Sequence, residues 1–380
     1  MFRERNLTLG RIGGVEVRVG VSWFVVVALV TWSFWDRFNP NPRFHGATAF
    51  VMAACAAVLL LGSVLAHELA HALEARYRGV PVGGITLFLF GGVTETNMEA
   101  RRPVDEFALT AVGPFTSLAT GAAFGLVSVV CGQLGLDAPA AVLGDVGWLN
   151  IALAVFNLLP GAPLDGGRIV RAIAWRVTGD RVRATLIAAR AGWVVGTLIF
   201  GLGLFQVFFV PPAFINGLWM AFIGWFLVGA AGTEAGQAQL HRALAQTPLR
   251  RLFGRRADVV SADVSVTEAI EGWFRPLGAD AFLVADETGA VVGVLTLEDV
   301  RGAAPDRTVR DVMRPLDGVA RIDADASGTA ALDALARGGP GGHIVLVEDD
   351  GQLLGVVTSR ALLTQLRRQQ ELESALGAGR

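Results

Sequence analysis

The sequence predicts a polytopic α-helical membrane protein that is followed by a smaller soluble α/β domain. Hydrophobic residues make up 53% of the 380 residues and charged residues only 17%, which is too apolar for an average soluble protein. Long apolar runs fill the chain up to about residue 235, and strand-length runs among charged residues follow. The formal net charge is -2 and no basic stripe occurs, so a nucleic-acid partner is not expected.

Six long apolar stretches predict six transmembrane helices. They cover residues 19–35, 49–66, 107–131, 146–159, 191–210 and 213–232. The fourth stretch is short and ends at Pro160, which predicts a helix that is broken inside the membrane. No signal-peptide cleavage site precedes the first stretch, so we interpret that stretch as a retained helix.

The distribution of arginine predicts the orientation of these helices. Arginines are frequent before the first stretch and after the second and fourth, but sparse or absent in the other connections. The positive-inside rule then places both termini and the C-terminal domain in the cytoplasm. We therefore expect a multi-pass protein of the inner (cytoplasmic) membrane, with the lipid bilayer as its surroundings.

Residues 81–95, between the second and third stretches, contain a short β-prone run between two Gly-Gly pairs. The run is too short to cross a bilayer as a helix. It predicts a re-entrant β-hairpin whose edge could pair with an unwound peptide by strand addition. A cytoplasmic loop packed on the protein explains the same pattern equally well.

His67, Glu68 and His71 follow the second apolar stretch directly. Two histidines four residues apart share one face of a helix and can bind one zinc ion, while the glutamate between them acts on metal-bound water. Ionisable residues at the end of a membrane span are rare and usually functional. The pattern therefore predicts a zinc hydrolase with its site below the membrane surface and Glu68 as general base.

A zinc site of this kind needs a third protein ligand, for which Asp165 is the best candidate. Two prolines and three glycines within residues 160–167 would let the chain bend this carboxylate back toward the histidines. Asn157, just before the break, could donate a hydrogen bond to a carbonyl oxygen as negative charge develops there. A turn residue at a helix N-terminus is the alternative for Asp165, and a helix–helix hydrogen bond is the alternative for Asn157.

An internal repeat predicts the architecture of the C-terminal domain. Residues of about 249–305 and 306–368 each contain a short helix, a strand, a turn, a second strand and a helix. Such a repeat predicts two copies packed as a pseudo-dimer in a soluble α/β domain. The predicted organisation is a membrane domain over 1–235, a linker over 236–248 and a tandem domain over 249–380.

The membrane domain resembles the site-2 protease family of intramembrane metalloproteases over roughly residues 8–235. Residues 67–71 resemble the HExxH motif of that family, and residues 157–167 resemble its NxxPxxxxDG motif. Residues 113–117 resemble its GPxxN element, although Ser117 stands where many members have asparagine. Two separate motifs at the expected spacing make this resemblance far more specific than either motif alone.

The resemblance implies a zinc-dependent intramembrane endopeptidase that acts in regulated intramembrane proteolysis. His67, His71 and Asp165 would bind one zinc ion, and Glu68 would be the general base. The implied substrates are single-span membrane proteins such as anti-sigma factors or pro-sigma factors.

The C-terminal repeat is similar to a tandem pair of cystathionine-β-synthase-type (CBS) domains, which commonly bind adenine nucleotides. Thr296 and Asp299 match the CBS ribose-binding pattern, whereas the second copy lacks the aspartate. The resemblance implies at most one good site for ATP or a related adenine nucleotide, with a structural or dimerising pair as the alternative. A homodimer through the CBS domains is a further expectation.

A CBS-regulated membrane transporter or channel without proteolytic activity is the alternative function. It would use the same ionisable residues as an ion path. The three-ligand pattern of an open metal site, without the inverted repeats of a transporter, favours the hydrolase.

Overall fold

A computed structural model describes residues 6–80, 82–88, 91–96, 100, 102–253, 258–338 and 344–364. The chain divides into two compact units, Met1–Ala238 and Gln239–Arg380. Residues 81 and 89–90 of the predicted hairpin lie outside the described residues.

The first unit contains seven α-helices and four β-strands among its described residues. The helices are α1 (Ser22–Phe38), α2 (Ala47–Tyr77), α3 (Pro103–Gln133), α4 (Asp137–Asn157), α5 (Asp165–Thr178), α6 (Arg181–Phe209) and α7 (Phe214–Gln246). The strands are β1 (Asn6–Ile12), β2 (Val15–Gly20), β3 (Val82–Phe88) and β4 (Gly91–Thr96).

Five helical segments of the described chain are long and apolar enough to cross a membrane: α2, α3, α4, α6 and the segment Pro211–Gln246, which includes α7. The predicted first span corresponds to α1, which has 17 residues and is shorter than the helices of the other predicted spans. Apolar side chains such as Trp32 and Leu29 of α1 are nevertheless exposed, at 69% and 61%. Several apolar membrane helices are therefore present, as the hydropathy of the sequence predicts.

Strands β3 and β4 pair antiparallel within residues 81–96 and form half of a four-stranded sheet in the order β1-β2-β3-β4, while the re-entrant position of this hairpin in the membrane stays a prediction. Strands β1 and β2 were not predicted, because long apolar runs do not reveal a strand such as β2, which alternates apolar and charged residues. In this period-two pattern Val15, Val17 and Val19 point to the buried face. Ile85 and Leu87 of β3 join them in the apolar core against α2.

The fourth span is longer than predicted but breaks where expected. α4 begins at Asp137, nine residues before the predicted start of the span. Two aspartates lower the hydropathy of residues 137–145, so the apolar run did not include this helical part. It ends at Asn157, and α5 begins at Asp165 after a short turn. α3 and α4 pack closely, since a Cβ at Gly121 would lie 2.8 Å from the carbonyl oxygen of Gly147.

The second unit consists of short helices and two sheets. The helices are α8 (Leu249–Phe253), α9 (Val266–Ala269), α10 (Arg275–Leu277), α11 (Leu297–Arg301), α12 (Val309–Val312) and α13 (Gly328–Arg337). The strands are β5 (Val259–Ser261), β6 (Ala281–Ala285), β7 (Val291–Thr296), β8 (Arg314–Pro315), β9 (Ala320–Asp323), β10 (Ile344–Asp349) and β11 (Gln352–Thr358).

Three strands in each sheet of the second unit have the same arrangement, as expected of a repeat, and β8 adds a fourth strand to the first sheet. A parallel pair (β5 with β6, β9 with β10) is followed by an antiparallel hairpin in each copy. Leu283 and Val294 of the first copy share an apolar cluster with Ile344 and Leu346 of the second. Residues 236–246 of the predicted linker continue α7, and Leu244 is buried in the core of the second unit.

Candidate metal centre

His67 and His71 lie on one face of α2, one turn apart. Their ring centroids are 4.8 Å apart and their Nε2 atoms are 3.2 Å apart. His67 is only 4% exposed, so its ring is held among other side chains rather than in solvent. The helical spacing thus directs two imidazole nitrogens to one point, which is what binding of a single cation requires.

Asp165, the first residue of α5, completes this cluster. Its Oδ2 atom lies 3.3 Å from Nε2 of His67 and 3.4 Å from Nε2 of His71. One ligand atom from each of the three residues lies within 4.8 Å of the others. Two imidazoles and one carboxylate are the donor set of an open zinc site, so the residues present fit that metal.

The turn between α4 and α5 brings Asp165 to the histidines. A Cβ at Gly166 would lie 2.2 Å from the carbonyl oxygen of Leu159, and one at Gly167 would lie 2.3 Å from the backbone nitrogen of Ala162. Only glycine allows the chain to fold back on itself this closely. The glycines after Asp165 are therefore part of the site's construction.

Helix α3 fixes the outer nitrogens of both imidazoles. Oγ of Ser117 lies 2.9 Å from Nδ1 of His67, and the carbonyl oxygen of Leu109 lies 2.6 Å from Nδ1 of His71. A carbonyl can only accept, so Nδ1 of His71 carries the proton and its Nε2 has a lone pair for a metal. Such outer partners orient metal-binding histidines and select their tautomer.

Gly113 of α3 lies against the Nε2 atoms of both imidazoles, which are the atoms that face Asp165. A Cβ at this position would lie 2.1 Å from Nε2 of His71 and 2.8 Å from Nε2 of His67. Residues 113–117 resemble a family element, but no role was predicted for Gly113 or Ser117. The GP element was the available signal, but the contact depends on how α3 packs against α2.

Glu68 and Asn157, for which catalytic roles are predicted, are both partly buried. Glu68 lies between the two histidines on α2. Asn157 is the last residue of α4, at the start of the turn that leads to Asp165. The catalytic roles of Glu68 and Asn157 stay predictions.

A charged cluster of Glu106, Arg171 and Glu234 lies in the same unit and was not predicted. Nε of Arg171 donates to Oε1 of Glu106 at 2.7 Å, and Nη1 donates to Oε1 of Glu234 at 3.1 Å. Glu106 is only 1% exposed, and its Oε2 atom has no partner among the described residues. The cluster joins α3, which holds the imidazoles, to α5, which carries Asp165, and to α7.

The predicted ribose-binding residues of the second unit are engaged with each other and with Arg314. Thr296 caps α11, and its backbone N–H donates to Oδ2 of Asp299 at 3.0 Å. Nε of Arg314 donates to Oδ1 of Asp299 at 2.8 Å. Hydrogen bonding to Asp299 raises the pKa of the Arg314 guanidinium above its usual value. The carboxylate of Asp299 is therefore already paired with groups of its own unit.

The apolar helices and the His-His-Asp cluster together define a class: membrane-embedded proteins with an HExxH-type metal centre. Comparisons with known proteins identify the family. Residues 55–143 and 125–200 match Peptidase family M50, and residues 309–368 match the CBS domain. Rip3 of Mycobacterium tuberculosis is 38% identical over 360 residues, which cover 93% of this chain and 90% of Rip3. The chain therefore belongs to peptidase family M50, the site-2 protease family, with a CBS appendage.

Similarity extends to an archaeal organism. Zinc metalloprotease MJ0392 of Methanocaldococcus jannaschii is 25% identical over 307 residues, which cover 80% of this chain and 83% of that protein. The solved structure of the site-2 protease from Methanocaldococcus jannaschii aligns with 61% of this chain and 95% of its own, at 24% identity and a TM-score of 0.42.

Proposed function

We propose that this chain is a zinc-dependent intramembrane endopeptidase that hydrolyses peptide bonds in or near transmembrane segments of membrane-bound regulatory proteins. The observation that carries this proposal is the approach of Asp165 to His67 and His71, within 3.4 Å. Membership of peptidase family M50 and five apolar helices support the same function. Substrates of the proposed class are single-span proteins such as anti-sigma or pro-sigma factors in the inner membrane.

In this proposal His67, His71 and Asp165 hold the zinc ion. When bound, zinc supplies a Lewis acid that polarises a carbonyl group and acidifies water. Glu68 accepts the proton of the attacking water, as the glutamate of an HExxH motif does. The Asn157 amide donates a hydrogen bond to the carbonyl oxygen that gains negative charge.

A substrate segment must be extended before its peptide bond can be attacked, because a helical peptide bond is shielded by its own hydrogen bonds. β4 lies at one edge of the four-stranded sheet and pairs with β3. An edge strand offers unpaired N–H and C=O groups to an incoming strand. We propose that β4 holds the unwound segment by strand addition.

The CBS pair is the proposed regulatory part, with ATP or a related adenine nucleotide as its ligand. A ribose that binds Asp299 would compete with Arg314, which donates to this carboxylate at 2.8 Å. Calorimetry of the full chain with ATP tests this. No heat of binding at millimolar ATP, for either the wild type or Arg314→Gln, contradicts nucleotide control.

A Glu68→Gln variant tests the peptidase proposal in native membranes. The variant keeps the shape of the side chain but cannot accept the proton, so cleavage should cease while zinc stays bound. Single-span proteins that are whole with the variant and cut with the wild type would be the substrates, with cleavage positions mapped by mass spectrometry. Glu74→Gln is the matched control, because Glu74 lies on the same helix but pairs with Arg78 at 2.7 Å.

Two results would contradict the proposal. One is equal cleavage by the wild type and Glu68→Gln, which would show that Glu68 is not the general base. The other is cleavage confined to soluble domains far from any transmembrane segment, which would remove the proposed substrate class. Metal-dependent ion flux without cleavage would favour the transporter instead.

A further inference from the structure

The start of α3 and one face of α5 enclose an apolar cleft that the proposed peptidase chemistry does not use. Its volume is about 220 Å³. It is lined by Pro103, Val104, Phe107, Ala172, Ile173, Arg176 and Val177. Val177, Val104 and Ile173 are exposed by 80%, 63% and 54%, so the cleft is open to its surroundings. Exposed apolar side chains of a membrane protein are suited to contact with the acyl chains of lipids.

The order of the helices places this cleft at one surface of the membrane. α3 begins at Pro103 and would cross the membrane away from this surface, and α4 would cross back and end at Asn157. α5 follows, and α6 begins the next crossing at Arg181. If each span crosses once, the start of α3 and all of α5 lie on the same side. α5 is amphipathic, with Ile173 and Val177 on one stripe and Arg168 away from it, as in helices that lie at a lipid interface.

The positively charged side chain of Arg176 borders the cleft. Arg176 forms no ion pair with any residue that the structure describes. The acidic side chains nearest in the first turn of α3 are already paired, Asp105 with Arg78 at 2.6 Å and Glu106 with Arg171 at 2.7 Å. Among the described residues, no carboxylate competes for the guanidinium of Arg176, so it can pair with an anionic ligand.

An apolar cleft beside an exposed arginine, on a helix that the topology places near the lipid headgroups, has the chemistry that an anionic lipid requires. We propose that it binds an anionic phospholipid of the surrounding bilayer. An acyl chain lies against Val104 and Ile173, and the phosphate pairs with Arg176. The inference requires membrane insertion but not peptidase activity, so either proposal can fail without the other.

Titration of the purified full chain in detergent tests the site, with bound lipids counted by native mass spectrometry. The probes are phosphatidylglycerol, phosphatidylcholine and glycerol phosphate, which carries the headgroup charge without acyl chains. Arg176→Gln and Ile173→Ser alter the cleft. Arg183→Gln and Ile187→Ser make the same changes on α6, at side chains that do not line the cleft.

The wild type should bind phosphatidylglycerol more tightly than phosphatidylcholine. Arg176→Gln should weaken binding of phosphatidylglycerol by about fivefold, the usual contribution of one basic residue near an anionic lipid. Ile173→Ser should weaken binding of both lipids, and the two α6 variants should behave like the wild type. Size-exclusion profiles identify any variant that misfolds, and Arg176→Gln then decides the result, because it changes an exposed side chain.

Three results would overturn the inference. Equal binding of both lipids by the wild type would remove the anionic specificity. Equal losses in Arg176→Gln and Arg183→Gln would mean diffuse attraction to the whole basic surface. Binding of glycerol phosphate as tight as that of the lipid would mean an anion site in which the apolar cleft plays no part.

Discussion

Oγ of Ser117 lies 2.9 Å from Nδ1 of His67, on the side of the ring opposite the nitrogen that faces Asp165. Ser117 is fully buried, so water does not compete for this hydrogen bond. The orientation of His67 is thus set by α3 as well as by α2. The hydroxyl oxygen of Ser117 can accept a hydrogen bond from Nδ1 of His67.

Removal of this acceptor should weaken metal binding. Ser117→Ala leaves Nδ1 of His67 without a partner, and loss of such an outer contact typically lowers metal affinity by about 10- to 100-fold. Competition with a fluorescent zinc chelator measures the change. Thr116→Val is the control, because Oγ1 of Thr116 bonds only to the carbonyl of Val112 on its own helix. Equal affinities of Ser117→Ala and the wild type would refute the positioning role.

A single methyl group at Gly113 should disrupt the site. The added Cβ would lie 2.1 Å from Nε2 of His71, so the ring must move or the helices must separate. We expect Gly113→Ala to lose bound zinc while its circular dichroism stays helical. Gly125→Ala on the same helix has open space around it and should keep its metal. Zinc content by atomic spectroscopy decides, and equal content in both variants would contradict the predicted contact.

Neutralising Asp165 should remove the third ligand without changing the shape of its side chain. We expect Asp165→Asn to lose zinc and, with it, all cleavage, since a neutral amide is a poor zinc ligand. Asp137→Asn is the comparison, because Asp137 is exposed and pairs with Arg43 at 3.0 Å. Metal content is measured before activity. A fully loaded Asp165→Asn variant would show that the metal does not need this carboxylate.

The Glu106–Arg171 pair should matter for stability. Arg171→Met leaves the carboxylate of Glu106 buried, at 1% exposure, without its main partner. Breaking a buried pair from one side usually costs about 3–5 kcal/mol. Thermal unfolding in detergent should therefore show a clear loss for Arg171→Met and little for Arg168→Met, an exposed neighbour on α5. Adding Glu106→Gln should recover part of the loss, and no recovery would argue against this explanation.

Much of the fold follows from patterns that are local in the sequence. Long apolar runs predicted the membrane helices, and prolines and glycines predicted the break between α4 and α5. The spacing of His67 and His71 predicted two nitrogens on one face. The period-two alternation of β2 was equally local, but a search for long runs passes over it.

The remaining contacts depend on packing between distant segments. Ser117 and His67 are 50 residues apart, and Arg171 and Glu106 are 65 apart. No local sequence pattern predicts which polar groups of two apolar helices will be in contact. Likewise, Asp299 fits a ribose-binding pattern in the sequence, but only the structure brings Arg314 to its carboxylate.

The position of Asp165 at the start of the fifth helix, away from the histidines on the second, also has a consequence during biosynthesis. While the ribosome is still producing the earlier spans, a metal could meet two imidazoles but no acid to complete its shell. Hydrolytic power would then arise only once the later part of the chain has been inserted. An incompletely synthesised chain would therefore not cleave other proteins of the membrane.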